Sequence, residues 1–269
     1  MKIKRYFYLA FQMMKINVRS GFQYPAYLIG WLLSNPLQFI FGLVIINVVI
    51  SKFQPLGGWS FEQIVFLYGL GIISHGLSIV FFIQTWGMGH RITEGGFDRM
   101  LVRPLNVFFQ FCFECFNFIG LTDLIPGAII FGYGCVAVGF QFTLLNTLKI
   151  LIALIGTTLL RGGIFTIVGS LSFWIKRTHP LIDINLTLFD YNMRYPLSIY
   201  PELIQGLFTF LLPYGFLAFY PASELLNIDV GFSLPISLCW WTLLVGMIVY
   251  LIGVSLFKIG LKKYESSGS

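Results

Sequence analysis

The sequence is poor in charge. Asp, Glu, Lys and Arg make up 10% of it, where an ordinary soluble domain carries about 25%, so there is too little polar surface to cover a water-exposed globule. Cysteine is scarce too. Cys112, Cys115, Cys135 and Cys239 all fall in or beside apolar stretches, which excludes a secreted disulfide framework and reads as buried thiols. Cys112 and Cys115 have C-x-x-C spacing, but no second pair or nearby histidine completes a zinc shell. The three histidines, His75, His90 and His179, stand far apart with no H-x-x-x-H pair, and no G-x-S-x-G elbow occurs. Zinc-hydrolase and serine-hydrolase chemistry therefore lack their groups. Neither G-x-x-x-x-G-K-[ST] nor a strand-to-helix G-x-G-x-x-G is present, so the chain is expected to carry no ATPase activity, cofactor or metal of its own. The basic N-terminus is followed by no apolar core with a small-residue cleavage site, and no cleaved leader is expected.

What is abundant is apolar bulk. Of 269 residues 57% are hydrophobic, 29 are Phe and 28 are Gly, and the mean hydropathy is +0.82. That composition predicts an all-α integral membrane protein. The net charge of +6 does not point to nucleic acid, because the basic residues lie between apolar runs rather than along one stripe. Residues 1–20 hold Lys2, Lys4, Arg5, Lys15 and Arg19 and no acid. On a helix, Ile3, Phe7, Ala10, Phe11, Met14 and Val18 gather on one side, the pattern of an amphipathic helix lying on membrane lipid. About 20 apolar residues cross a bilayer, and six runs qualify within a transmembrane domain of residues 21–260. They lie at about 26–50, 61–86, 107–139, 143–175, 200–219 and 235–258. Pro36 falls in the first run, Pro126 is the expected kink of the third, and Pro213 and Pro221 interrupt the neighbourhood of the fifth. A short turn near Gly139 makes the third and fourth an antiparallel hairpin.

Lys and Arg concentrate in the N-terminal segment and in the loop with Arg91, Arg99 and Arg103. They recur in the loop with Lys176, Arg177 and Arg194, and in the tail 261–269 together with Lys258. The remaining connections hold little but Lys52, so both termini are expected in the cytoplasm. Two features stand out within this frame. In the loop 87–106, a short helix would present an apolar ridge of Phe97, Met100, Leu101 and Val102 flanked by Asp98, Arg99 and Arg103. Such a ridge docks in a partner's groove or lies flat on lipid. Asp123 and Arg161 sit at similar distances from the turn near residue 141, hence at similar depth. Because an unpaired ionisable group in the bilayer costs at least about 2.5 kcal/mol, they are expected to form an intramembrane ion pair that locks the hairpin or contributes to cargo binding. Glu114 lies lower on the third run, and Gly162, Thr166 and Ser170 recur every four residues on the fourth, suited to close helix packing.

The loop EGGFDRMLVRPLN, the run YPLSIYPELIQGLFTFLLPYGFLAFYPASELL and six spans behind an interfacial helix resemble the permease subunits of bacterial ABC type-2 transporters. The similarity is greatest to stand-alone permeases encoded beside a separate ATPase. The resemblance covers nearly the whole chain; its Gly-Gly-x-Asp-x-x-Leu-x-x-Pro loop is its most specific motif. It implies a permease subunit of an exporter in the bacterial cell membrane, working by alternating access. Its partners would be two copies of an ABC ATPase that holds ATP and Mg, and a second permease, identical or homologous. Glu94, Phe97, Asp98, Arg99, Met100, Leu101 and Arg103 would form the cytoplasmic coupling helix. Pro213, Tyr214, Tyr220, Pro221 and Glu224 would belong to a partly re-entrant gate near the outer face. The alternatives are a non-transporting membrane scaffold and an intramembrane lipid-modifying enzyme; the scattered Asp, Glu and His residues speak against the latter.

Overall fold

A computed structural model describes residues 2–52, 55–114, 116–175, 178–230 and 237–265. Cys115, Lys176 and Arg177 lie outside the described residues, as do the side chains of Lys2, Ile3 and Arg5. The described chain is helical throughout: α1 Lys2–Gly21, α2 Pro25–Lys52, α3 Phe61–Phe82, α4 Met88–Thr93, α5 Asp98–Leu101, α6 Val107–Glu114, α7 Leu121–Ala137, α8 Leu144–Ser170, α9 His179–Arg194, α10 Glu202–Gly206, α11 Phe219–Leu225 and α12 Leu238–Leu261. Five stretches are long and apolar enough to cross a membrane: Pro25–Lys52, Phe61–Thr93, Phe118–Ala137, Leu144–Phe173 and Leu238–Leu261.

The central element is α3, buried on nearly every side from Ile64 to Ile72. It starts where the Ser60 hydroxyl accepts from Gln63 N–H while the Gln63 side chain accepts from Ser60 N–H, a reciprocal cap. Glycines bring its neighbours close. A Cβ on Gly134 of α7 would lie 2.7 Å from Phe66 N, and one on Gly163 of α8 would lie 2.6 Å from Tyr250 N of α12. Helices in lipid gain nothing from hiding apolar surface from one another, so backbone approach through small residues supplies the packing. Among the residues expected to serve this purpose, Gly162 meets the Phe82 ring and Thr166 faces Gly253.

Three expectations are corrected. The third run is not one helix: it is interrupted after α6, and the Asn117 side chain accepts from Ile119 N–H and starts a new helix, α7, which contains Pro126. The third and fourth helices are joined by a tight turn, with Gly139 at φ +65°, yet do not pack side by side. α7 lies along α3, whereas α8 lies along α12 and the opposite side of α3. Residues 200–219 form no continuous span: α10 runs into a π turn at Leu207–Leu211, the chain breaks at Pro213, and a 3-10 turn Tyr214–Leu217 precedes α11.

A further helix, α9, runs alongside α3 in the region read as a loop. At its start Thr178 and Ser172 hydroxyls bond at 2.8 Å beside Gly89, at the far end of the helix that begins with α3. Beyond its end Ser198 Oγ donates to Gly57 O at 2.7 Å, at the near end of α3. Between these points Met193 lies against Gly71. Sixteen residues of α-helix span about 24 Å, so α9 and the following turn traverse the thickness that α3 traverses. Because α1 packs on α6 and Tyr264 on Asp98, both ends of the described chain lie at the face that carries the loop 87–106. On α1, Ala10 is buried while Phe7 and Phe11 are 75% and 60% exposed, leaving its apolar stripe uncovered.

Candidate functional site

A cavity of about 540 Å³ opens among α2, α3, the start of α7, α8 and α9. Tyr27 and Trp31 of α2, more than a third exposed, stand at its rim, and Trp86 and Asn117 line it toward the loop face. Its walls carry three charged residues and a histidine: Asp123, Arg161, Asp190 and His75. Asp123 and Arg161 do not meet directly, contrary to the pairing expected from sequence. The reason is the packing order: α3 stands between α7 and α8, and His75 of α3 fills the gap. Arg161 Nη1 lies 3.0 Å from His75 Nδ1, and Asp123 Oδ2 lies 3.7 Å from His75 Nε2. Guanidinium can only donate, so Nδ1 is the acceptor and Nε2 carries the imidazole proton, which faces Asp123. The carboxylate also accepts from the Asn35 amide, which donates in addition to Thr122 Oγ1 at 2.9 Å, and it sits in the first turn of α7, where the helix dipole favours negative charge.

Arg161 is 1% exposed and lies over the Phe189 ring, 4.6 Å from its centre. Its Nε and Nη2 have no hydrogen-bond partner. Asp190 is taken by Arg194 at 2.9 Å. His75, Asn35, Asp190 and Arg194 escaped the sequence reading. The intramembrane-charge argument applied to Asp123 reaches His75 as well, and the i,i+4 spacing of Asp190 and Arg194 would have revealed the second pair had their segment been taken as a span.

The loop 87–106 forms a second, smaller core at the end of the bundle. Phe97 is fully buried, its ring 5.5 Å from Phe111, 5.7 Å from Phe173 and 5.9 Å from Phe257. Met100 is 2% exposed, and its carbonyl accepts from Gln110 Nε2 at 2.9 Å. The expected outward ridge is therefore corrected: Phe97 and Met100, one helical turn apart, fasten the loop to its own bundle, while Leu101 and Val102 are 47% and 83% exposed. Glu94, Arg99 and Arg103 are exposed around them, Glu94 facing His90 at 3.1 Å and Arg103 facing Glu114 at 3.5 Å. Asp98 is turned sideways and accepts from Tyr264 Oη at 2.8 Å. Burial pushes the Tyr264 phenol up to about 12, and the hydrogen bond to Asp98 acts in the same direction.

At the opposite end, the segment from Pro213 to Leu226 is a packed plug. Tyr214 Oη donates to Asn185 Oδ1 at 2.5 Å, Tyr220 Oη and Thr209 Oγ1 share a hydrogen bond, and Pro221 is buried. Glu224 ties the plug to two long helices, facing Lys149 Nζ of α8 at 2.7 Å and accepting from Cys239 N–H of α12 at 2.8 Å. Lys149 had no role in the sequence reading; its position near the start of α8 gave no reason to pair it with the distant Glu224.

Among the described residues no group of His, Cys, Asp and Glu is arranged to hold a metal ion. Residues 37–268 match the family described as ABC-2 family transporter protein. No curated protein matches the chain.

Proposed function

The chain belongs to the ABC-2 transporter family, as a transmembrane subunit associated with an ATPase subunit, and on that premise we propose that it is the permease of an exporter in a bacterial cell membrane. In this reading two copies of an ABC ATPase bind and hydrolyse ATP with Mg, and a second permease, identical or homologous, completes the pathway. Both termini and the loop 87–106 face the cytoplasm. Nucleotide binding must favour one arrangement of the helices over another, or nothing moves. The observation that carries the reading is the family match, which spans every crossing helix from within α2 to α12. Export is supported by the cavity, whose rim residues Tyr27 and Trp31 lie toward the loop face while the Pro213–Leu226 segment packs tightly at the other.

The coupling surface in this reading is the exposed tip Leu101–Val102, with Glu94, Arg99 and Arg103 as its rim and Phe97 and Met100 as its anchors. Apolar residues at the centre of an interface usually dominate its energy, with rim charges contributing less. Co-expression with the ABC ATPases of its own genome, followed by affinity purification of the permease, tests this. Leu101→Asp with Val102→Asp should release the ATPase from a permease that still elutes as a single species. Phe97→Ala should instead destabilise the permease itself, by roughly 3–5 kcal/mol for a buried aromatic. Retention of the ATPase by the double aspartate variant would remove this surface from the mechanism.

A further inference from the structure

We infer that the cavity binds an amphipathic anion, its carboxylate or phosphate head drawn to Arg161 and its apolar part lying against Trp31, Phe39 and Trp86. The argument is one of incompletely paired charge. Both acids that line the cavity are provided for: Asp190 by Arg194, and Asp123 by the Asn35 amide, the imidazole Nε2–H and the first turn of α7. Arg161 is served less directly. Asp190 attracts it from beyond contact distance, but among the described residues no carboxylate lies within 4.0 Å of it; its hydrogen-bond and ring partners are a neutral imidazole nitrogen and the face of Phe189, and two of its nitrogens have no acceptor. A guanidinium that is almost wholly buried with empty donors seeks planar, bidentate acceptors, which carboxylate and phosphate groups provide.

The rest of the wall suits the other half of such a molecule. Phe39, Ile79 and Trp86 are apolar, and Tyr27 and Trp31 continue the aromatic surface to the rim. A site with a polar end, where Arg161 is the cation beside Asn35, His75, Asp123 and Asp190, and an aromatic end toward the rim orients a ligand by its head while accepting varied tails. The proposal rests on the permease reading only for the ligand's role as cargo; binding itself is a property of this chain alone.

Trp31 and Trp86 provide the test. The permease alone, in nanodiscs of neutral lipid, would be titrated with 11-bromoundecanoate, 11-bromoundecanol and 11-bromoundecylamine, which share a tail and a quenching bromine and differ in the head. Saturable tryptophan quenching should be strongest for the carboxylate, with an affinity about ten- to a hundredfold above that of the alcohol, the range of a charge-assisted hydrogen bond. The saturable part should vanish in Trp31→Phe with Trp86→Phe. Arg161→Met should erase the preference and Arg161→Lys should keep part of it. If Arg161→Met does not fold, the ranking of the three probes on the unaltered protein still decides. Dibrominated phosphatidic acid, compared with dibrominated phosphatidylcholine in the nanodisc, distinguishes a membrane lipid from a free acid as the source of the anion. The inference is overturned if the alcohol or the amine binds as well as the carboxylate, or if Arg161→Met retains the preference. Loss of the ATPase in the co-purification experiment would leave this result readable, so the two proposals fail separately.

Discussion

At the scale of single residues, Asp123 and Arg161 are held among neutral donors and acceptors rather than against each other, whereas Asp190 and Glu224 pair with Arg194 and Lys149 at contact distance. His75 is the hinge of this arrangement, since it accepts from Arg161 on one nitrogen and faces Asp123 with the other. Removing one partner of a buried polar array leaves the others unsatisfied and costs several kcal/mol. A double-mutant cycle on folded yield and thermal stability should therefore give His75→Leu a coupling of about 0.5–3 kcal/mol with each of Asp123→Asn and Arg161→Met. The coupling between Asp123→Asn and Arg161→Met should be smaller than either. A dominant direct coupling between the last two would mean that the imidazole is not the link. The same residues show why the pairing was misjudged from sequence: depth along two helices was correctly placed, but depth says nothing about which helix stands between them.

At the scale of elements, glycine spacing decides which helices touch. Gly156 and Gly163 of α8 face the backbone of α12 at Leu243 and Tyr250, each leaving 2.6 Å for a Cβ. Gly163→Ala should thus push the helices apart and lower stability by about 1–3 kcal/mol, the usual penalty of overpacking. Gly132→Ala, on a face of α7 where a Cβ would meet nothing within 4 Å, should leave stability unchanged or raise it by about 0.5–1 kcal/mol. Equal effects of the two in a thermal-shift series would contradict the packing account. The long apolar elements were legible in the sequence because a bilayer demands about 20 apolar residues, and α2, α3, α8 and α12 follow that demand. α9 was not, because Asp183, Asn185, Asp190, Asn192 and Arg194 give it the look of a cytoplasmic connection. Asp190 lines the cavity and pairs with Arg194, Asn185 accepts from Tyr214 and Asn192 is buried, while Asp183 is exposed near the start of the helix. The run 200–219 misled in the opposite way: it has the apolarity of a span but is folded into short turns by Pro201 and Pro213. In the coupling loop the composition was legible and the orientation was not, since four apolar residues in sequence do not reveal that Phe97 and Met100 point to a core built by Phe111, Phe173 and Phe257.

At the scale of the whole molecule, α9 runs along α3 beside the five long apolar helices, and both ends of the described chain lie at one face. Single cysteines on a cysteine-free background test that arrangement. Positions 57 and 198, which touch in the structure, should both react with an impermeant maleimide from outside intact cells, and position 95 should not. Reaction at 57 but not at 198 would mean that α9 does not cross. The central claim, that a separate ATPase drives exposure of the intramembrane cavity to alternate sides, is tested most directly at Thr187, which is exposed and lines that cavity. In the reconstituted permease–ATPase complex, Thr187→Cys should react with the impermeant reagent from the cytoplasmic side without nucleotide, and from the outer side when ATP and vanadate trap the ATPase. Labelling whose side and rate are the same with and without nucleotide would contradict the account.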